Sequence, residues 1–158
     1  MLRVFVCFRE KTFSVKRELL LLLVPLCIIV IARCVYFPMR HVNGHIGTLN
    51  IDFDKIFPVR YNLIPFVRLF DVYDGWQLNI IGNIVIFIPV GIVWPLSFKK
   101  LNSLPKVCLA GFLYTLLIEI SQILSYERCS DVDDMILNTA GVFIGAGIYF
   151  FVKRCSGK

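Results

Sequence analysis

The sequence lacks the short motifs that mark most catalytic centres: it contains no G-x-S-x-G, H-E-x-x-H or P-loop pattern. Hydrolase, protease and ATPase functions therefore have no motif support. It also lacks a C-x-x-C pair among its six cysteines. A disulfide framework would need clustered cysteines, whereas most of these lie in apolar runs or beside them. Most of the cysteines are therefore predicted to be apolar filler.

Metal ligands are also scarce. The two histidines, His41 and His45, are four residues apart, but Pro38 and Gly44 disfavour the helix that would place them on one face. The acidic stretch 131–134 lacks the glycine and the terminal glutamate of an EF-hand loop. We therefore predict no metal and no cofactor.

Apolar residues make up 58% of the 158 residues, and the mean hydropathy is +0.75. An ordinary soluble domain is about 45–50% apolar. The apolar residues occur in long runs, which indicates that lipid surrounds the chain. The net charge is +6, and the basic residues flank these runs, as membrane topology requires. No basic helix carries interleaved aromatics, so nucleic acid is not a predicted partner.

Four apolar runs are long enough to approach the roughly 20 residues that a bilayer requires. The first is longer than the ~7–15 residues of a signal-peptide core, and no A-x-A cleavage site follows it, so we predict a retained span. The sequence predicts an all-α integral membrane four-helix bundle with a long outer loop between the first two spans. Residues 1–18 form a basic N-terminus, and 19–158 form one transmembrane domain with spans at about 19–36, 78–98, 107–124 and 135–152.

The distribution of Lys and Arg predicts the orientation of these spans. With the N-terminus inside, the inner segments are 1–18, 99–106 and 153–158, and they carry eleven of the 17 Lys and Arg residues. Eight of the 11 acidic residues then lie outside. We therefore predict a multi-pass protein of the cell membrane with both ends in the cytoplasm. In the outer loop, the Phe-, Ile- and Leu-rich stretch 56–70 is predicted to lie on the membrane surface.

Amide and carboxyl side chains interrupt the apolar runs at spacings of three or four, which place them on shared helix faces. Under the predicted orientation they all lie in the outer half of the bundle, which favours a polar pocket open to the outer leaflet. With the arginine of the adjoining loop, the candidate ligand-binding residues are Asn79, Asn83, Glu119, Gln122, Arg128, Asp131, Asp134 and Asn138. In the fourth span, Gly141 and Gly145 continue the stripe as a motif for close helix packing.

Glu119 is the most costly of these residues because it lies well inside the third run. Insertion scales assign ~2.5–3.5 kcal/mol to a charge at the centre of a span. Its carboxyl group must therefore be protonated, paired or in contact with water. The simplest alternative to a binding role is an interhelical hydrogen bond to Asn79, Asn83 or Asn138, at ~0.6 kcal/mol on average.

At these same residues the chain resembles the VanZ-like family, which is named for a teicoplanin-resistance protein. The matching blocks occur in order over about residues 60–152: Asn62–Phe66, Asn79–Gly91, Glu119–Gln122, and Arg128 with Asp131–Gly141. The resemblance implies a cytoplasmic-membrane protein of mostly Gram-positive bacteria. Some members of the family are also linked to resistance against glycopeptide antibiotics.

Three functions remain open from the sequence. The first is a non-enzymatic envelope protein whose pocket binds a membrane lipid, a lipid-linked cell-wall precursor or a glycopeptide, with Arg128 pairing with a phosphate or carboxylate. The second is an intramembrane enzyme acting on a lipid head group, with Glu119 as general acid or base and Arg128 stabilising developing charge. The third is a structural or transport subunit with no site of its own.

Overall fold

The computed structural model describes residues 14–37, 41–42, 45–46, 61–66, 76–124 and 129–157. Within these ranges the chain forms four long helices: α1 (Val15–Tyr36), α2 (Trp76–Ser97), α3 (Leu104–Gln122) and α4 (Val132–Cys155). Each is long and apolar enough to cross a membrane. The prediction of an all-α bundle with four candidate spans is confirmed.

Two short strand pairs lie between the helices. In the first, β1 (His41–Val42) pairs antiparallel with β2 (His45–Ile46), so the two histidines lie on strands. In the second, β3 (Tyr61–Asn62) pairs in parallel with β4 (Ser130–Asp131), directly before α4. The second pair fixes part of the loop between α1 and α2 against the start of the last helix.

Every helix begins two to four residues before the predicted start of its span. Helical hydrogen bonding includes residues that precede the apolar run, because polar side chains are tolerated in a first helical turn that lies outside the hydrocarbon. At α4, Asp131 is the N-cap residue, and its side chain accepts a hydrogen bond from the backbone N–H of Asp133. At the other end of α4, Lys153 and Arg154 lie in the last turn, where cations are favourable.

Helix α4 is the centre of the bundle, since it packs most extensively on α2 and also on α3, while α1 packs on α2. Helices α2 and α4 run parallel and touch through their backbones. Gly141 faces the carbonyl oxygen of Ile84, and one turn later Gly145 faces that of Ile88. Gly91 of α2 faces the backbone of α4 in turn. The predicted small-residue motif therefore forms the closest helix contact.

The apolar core lies between α2, α3 and α4. Phe87, Val90, Val107 and Val142 are fully buried there. From α1 only Ile31 is buried, so this helix is peripheral. Most of its other large apolar side chains face outward, as expected of a helix surrounded by lipid, while Val35 packs against the core.

Candidate functional site

One end of the bundle collects most of the buried polar side chains. Helices α2 and α4 begin there, α3 ends there, and the β3–β4 pair lies beside them. Thr115, Glu119, Gln122, Asp133 and Asn138 are all at most 5% exposed. Together with their hydrogen-bonded neighbours they form what we term the polar cluster: Asn62, Asn83, Thr115, Glu119, Gln122, Asp131, Asp133, Asp134 and Asn138.

Glu119 connects α3 to the strand that precedes α4. Its side chain is 2% exposed, and its Oε2 accepts a hydrogen bond from the backbone N–H of Asp131, at 2.9 Å. The interhelical partner considered from the sequence was an asparagine, and the structure instead gives a main-chain donor. A backbone N–H beside a helix start lacks an intrahelical acceptor, and a carboxylate is a strong one.

Asp131 connects the same strand to the loop between α1 and α2. Its Oδ1 accepts hydrogen bonds from the backbone N–H of Asp133, at 2.9 Å, and from Nδ2 of Asn62, at 3.0 Å. The first bond caps α4, and the second fixes the side chain that β3 presents. One carboxylate therefore starts the helix and holds the incoming loop.

Asp133 is a buried carboxylate with one satisfied oxygen. Its Oδ1 accepts a hydrogen bond from the backbone N–H of Phe66, at 2.8 Å. Its Oδ2 is buried without a hydrogen-bond partner in the part of the chain that the structure describes. Phe66 has φ of 66°, a left-handed conformation that is unusual for a bulky residue. Residues held in such conformations occur preferentially at functional sites.

Two amide side chains connect the helices below this layer. Nδ2 of Asn83 donates to Oδ1 of Asp134, at 2.6 Å, and joins α2 to α4. Nδ2 of Asn138 donates to Oγ1 of Thr115, at 2.8 Å, and joins α4 to α3. Oδ1 of Asn138 is buried and, within the described ranges, has no hydrogen-bond partner. Polar contacts therefore join α2, α3 and α4 at the end of the bundle that holds the polar cluster.

The structure brings together most of the residues that the sequence singles out as a site. Asn83, Glu119, Asp131, Asp134 and Asn138 share the contacts above, and Gln122 is buried one turn after Glu119. Asn79 is exposed on α2 and is not brought into the cluster. Arg128 lies outside the described residues.

Three members of the polar cluster were not predicted from the sequence. Thr115 lies four residues before Glu119, a spacing that places it on the same helix face, but a threonine hydroxyl is common in membrane helices and attracts no notice. Asn62 opens the first block of the family resemblance, which was the available signal for it. Asp133 is off the three-and-four spacing that links its neighbours, and its signal was its place in the resemblance block Asp131–Gly141.

A Thr115→Val substitution tests the Asn138 contact. Valine keeps the shape of threonine but removes the acceptor, so the amide of Asn138 loses its partner in a buried site. We expect a loss of stability of about 1–3 kcal/mol, measured by thermal unfolding of the detergent-solubilised protein. Thr139→Val is the matched control, because Oγ1 of Thr139 donates only to the carbonyl of Met135 on its own helix. Equal effects of the two variants would contradict the assigned contact.

Four membrane-length helices with apolar outer faces and polar contacts at one end define a multi-pass integral membrane protein. The chain belongs to the VanZ/LLP1 family, whose family model matches residues 20–153, and the resemblance inferred from the sequence is thereby confirmed. It is 35% identical over 88 residues to Protein VanZ of Enterococcus faecium, a match that covers 56% of this chain and 51% of that protein. The chain therefore spans about half the length of this curated relative. No solved structure matches the chain.

Proposed function

We propose that this VanZ-family protein resides in the cell membrane and alters glycopeptide susceptibility. In this proposal the polar cluster holds the head group of an amphiphilic, lipid-linked ligand at the outer leaflet. The observation that carries the proposal is Oδ2 of Asp133, which is buried and has no hydrogen-bond partner among the described residues. The Lys and Arg bias, which predicts that this end of the bundle faces outward, supports the same location.

The unpartnered oxygen of Asp133 favours a ligand that donates hydrogen bonds. Leaving a buried polar atom without a partner costs about 1–3 kcal/mol, and more for a charged group. A carboxylate oxygen accepts hydrogen bonds, so the missing partner is an O–H or N–H group. Oδ1 of Asn138, which likewise lacks a partner in the part of the chain that the structure describes, is also an acceptor. Hydroxyl and amide groups of a lipid-linked cell-wall precursor have this chemistry.

The segment beside Asp133 supplies the apolar half of such a site. This segment exposes large apolar and aromatic side chains. More than half of the surface of each is exposed: Tyr61, Leu63, Ile64 and Phe66. The Phe66 backbone is hydrogen-bonded to Asp133, so this apolar surface directly adjoins the buried carboxylate. We infer that these exposed apolar side chains contact acyl chains or the apolar part of a lipid-linked ligand. The pairing of apolar loop and carboxylate matches an amphiphile.

An Asp133→Asn substitution tests this proposal. Asparagine retains the oxygen that accepts from Phe66 but places an NH₂ donor where the unpartnered acceptor was. We expect normal abundance in the membrane and a loss of the effect on teicoplanin susceptibility in a susceptible Gram-positive host. Glu18→Gln is the matched control, since it makes the same carboxylate-to-amide change at the opposite end of the bundle.

The remaining outcomes separate the other functions. A fall in membrane abundance of Asp133→Asn would assign the residue a structural role and contradict the proposal. A change in the cellular lipid products on expression of the wild-type chain, lost in Asp133→Asn, would favour an enzyme acting on a lipid head group. If Asp133→Asn were normally abundant and altered teicoplanin susceptibility as much as the wild-type chain does, Oδ2 of Asp133 would bind no ligand relevant to resistance.

A further inference from the structure

A second feature lies at the opposite end of the bundle from the polar cluster. A cavity of about 240 Å³ opens between the first turns of α1 and the end of α2. Three cationic side chains line it, two from α1 and one from the residues just after α2: Lys16, Arg17 and Lys99. Among residues 14–157 as far as the structure describes them, no acidic side chain lines this cavity. We term this cavity the basic groove.

The basic groove is held in shape by a contact between its two helices. Oγ of Ser97 donates a hydrogen bond to the carbonyl oxygen of Leu20, at 3.0 Å, and both residues line the groove. This bond fixes the start of α1 against the end of α2, although α1 contributes little elsewhere to the buried core. The three cations therefore converge because of a specific helix contact.

The walls of the groove are apolar below the cations. Leu20 and Leu96 line it on the two helices, and both belong to the apolar parts of membrane-length helices. A ligand that fits therefore has an anionic group beside the three cations and a hydrocarbon part beside the leucines. Its anionic group lies where span ends meet the lipid head groups.

We propose that the basic groove binds an anionic phospholipid, with its phosphate among Lys16, Arg17 and Lys99 and the start of an acyl chain against Leu20 and Leu96. Arginine and lysine are the side chains that recognise phosphate, the first through its planar fork and the second as a point charge. Basic pockets between membrane helices bind lipid phosphates in this way. This site is separate from the polar cluster and does not depend on its function.

Native mass spectrometry of the purified full chain measures the preference directly. The protein is equilibrated with equal amounts of phosphatidylglycerol and phosphatidylcholine of identical acyl chains, and the ratio of bound lipids is recorded. We expect the wild-type chain to retain phosphatidylglycerol in excess. In the triple variant Lys16→Gln, Arg17→Gln, Lys99→Gln, we expect that excess to fall by about fivefold for each cation removed.

A matched triple variant separates the groove from general surface charge. The control also removes two lysines and one arginine at the same end of the bundle, by the substitutions Lys100→Gln, Lys106→Gln and Arg154→Gln. None of these three residues lines the groove. We expect this control to keep the wild-type ratio. An equal loss in both triple variants, or no loss in either, would overturn the proposal.

Two further measurements keep the result interpretable. The charge-preserving variant Lys16→Arg, Lys99→Arg is expected to keep the preference for phosphatidylglycerol, and its loss there would show that charge is not the cause. In a separate experiment, inorganic phosphate is added to the protein in phosphatidylcholine, and the unfolding temperature of the protein is compared with that in phosphatidylglycerol. If inorganic phosphate raised this temperature as much as phosphatidylglycerol does, the groove would be a site for free phosphate, and the assignment to a lipid would be wrong.

Discussion

The double substitution Gly141→Ala, Gly145→Ala is expected to separate α4 from α2. A Cβ atom at either position would overlap a backbone carbonyl oxygen of α2, that of Ile84 or that of Ile88. Backbone atoms cannot rotate away as a flexible side chain does, so the helices must move apart. Overpacking of this kind costs about 1–3 kcal/mol per site, which exceeds the gain of about 1 kcal/mol in helix propensity from replacing glycine by alanine.

The loss is measured as a fall in the temperature at which the solubilised protein loses its monodisperse elution peak. The control is Gly82→Ala, Gly147→Ala, which changes one open position on each of the same two helices, where an added Cβ meets nothing within 4 Å. Because only the helix propensity changes, this control should be as stable as the wild type or more so. If both double variants behaved alike, the close parallel packing of α2 and α4 would be disproved.

Glu119→Leu is expected to have two effects of opposite sign. Removal of a carboxyl group from a membrane helix favours insertion, although by less than the ~2.5–3.5 kcal/mol of a charge at the centre of a span, because Glu119 lies three residues before the end of α3. The same change removes the acceptor for the backbone N–H of Asp131, and an N–H left without a partner costs about 1–3 kcal/mol. Membrane abundance should therefore be maintained or rise, while β4 becomes less firmly held.

Hydrogen exchange of the peptide that contains Ser130 and Asp131 measures this second effect. We expect exchange about 5- to 150-fold faster in Glu119→Leu, the range that corresponds to the loss of about 1–3 kcal/mol. Glu119→Gln is the control, because glutamine retains a side-chain oxygen that accepts from Asp131, and it should keep the wild-type protection. Unchanged exchange in Glu119→Leu would mean that α3 does not hold the strand.

The helices and the packing motif were predictable from the sequence because both depend on local pattern. Long apolar runs identify membrane-length helices, and the four-residue spacing of Gly141 and Gly145 identifies a face for close contact. The starts of the helices were less predictable, since α4 begins directly after a capping residue, Asp131, in a stretch whose acidic residues resemble a loop. Cap geometry depends on where one side chain points, which a run of apolar residues does not specify.

The sequence predicts which helix faces carry most residues of the polar cluster, but it does not predict which groups these residues bond to. Spacing places Glu119 on one face of its helix, yet its partner is a main-chain group of Asp131. Asn62 and Asp131 meet through a strand pair across 69 residues of sequence, and no local periodicity encodes so long a separation. Asp133 joins the cluster through the same loop, so it was missed for the same reason.

The parallel course of α2 and α4 also sets the order in which the molecule is completed during synthesis. Asn83 and its partner Asp134 are 51 residues apart along the chain, and α3 must enter the bilayer between them. The surface of α2 that packs on Gly141 and Gly145 therefore lacks its partner until α4 has been synthesised and inserted. A nascent chain halted before Gly141 would therefore lack the closest helix contact of the bundle.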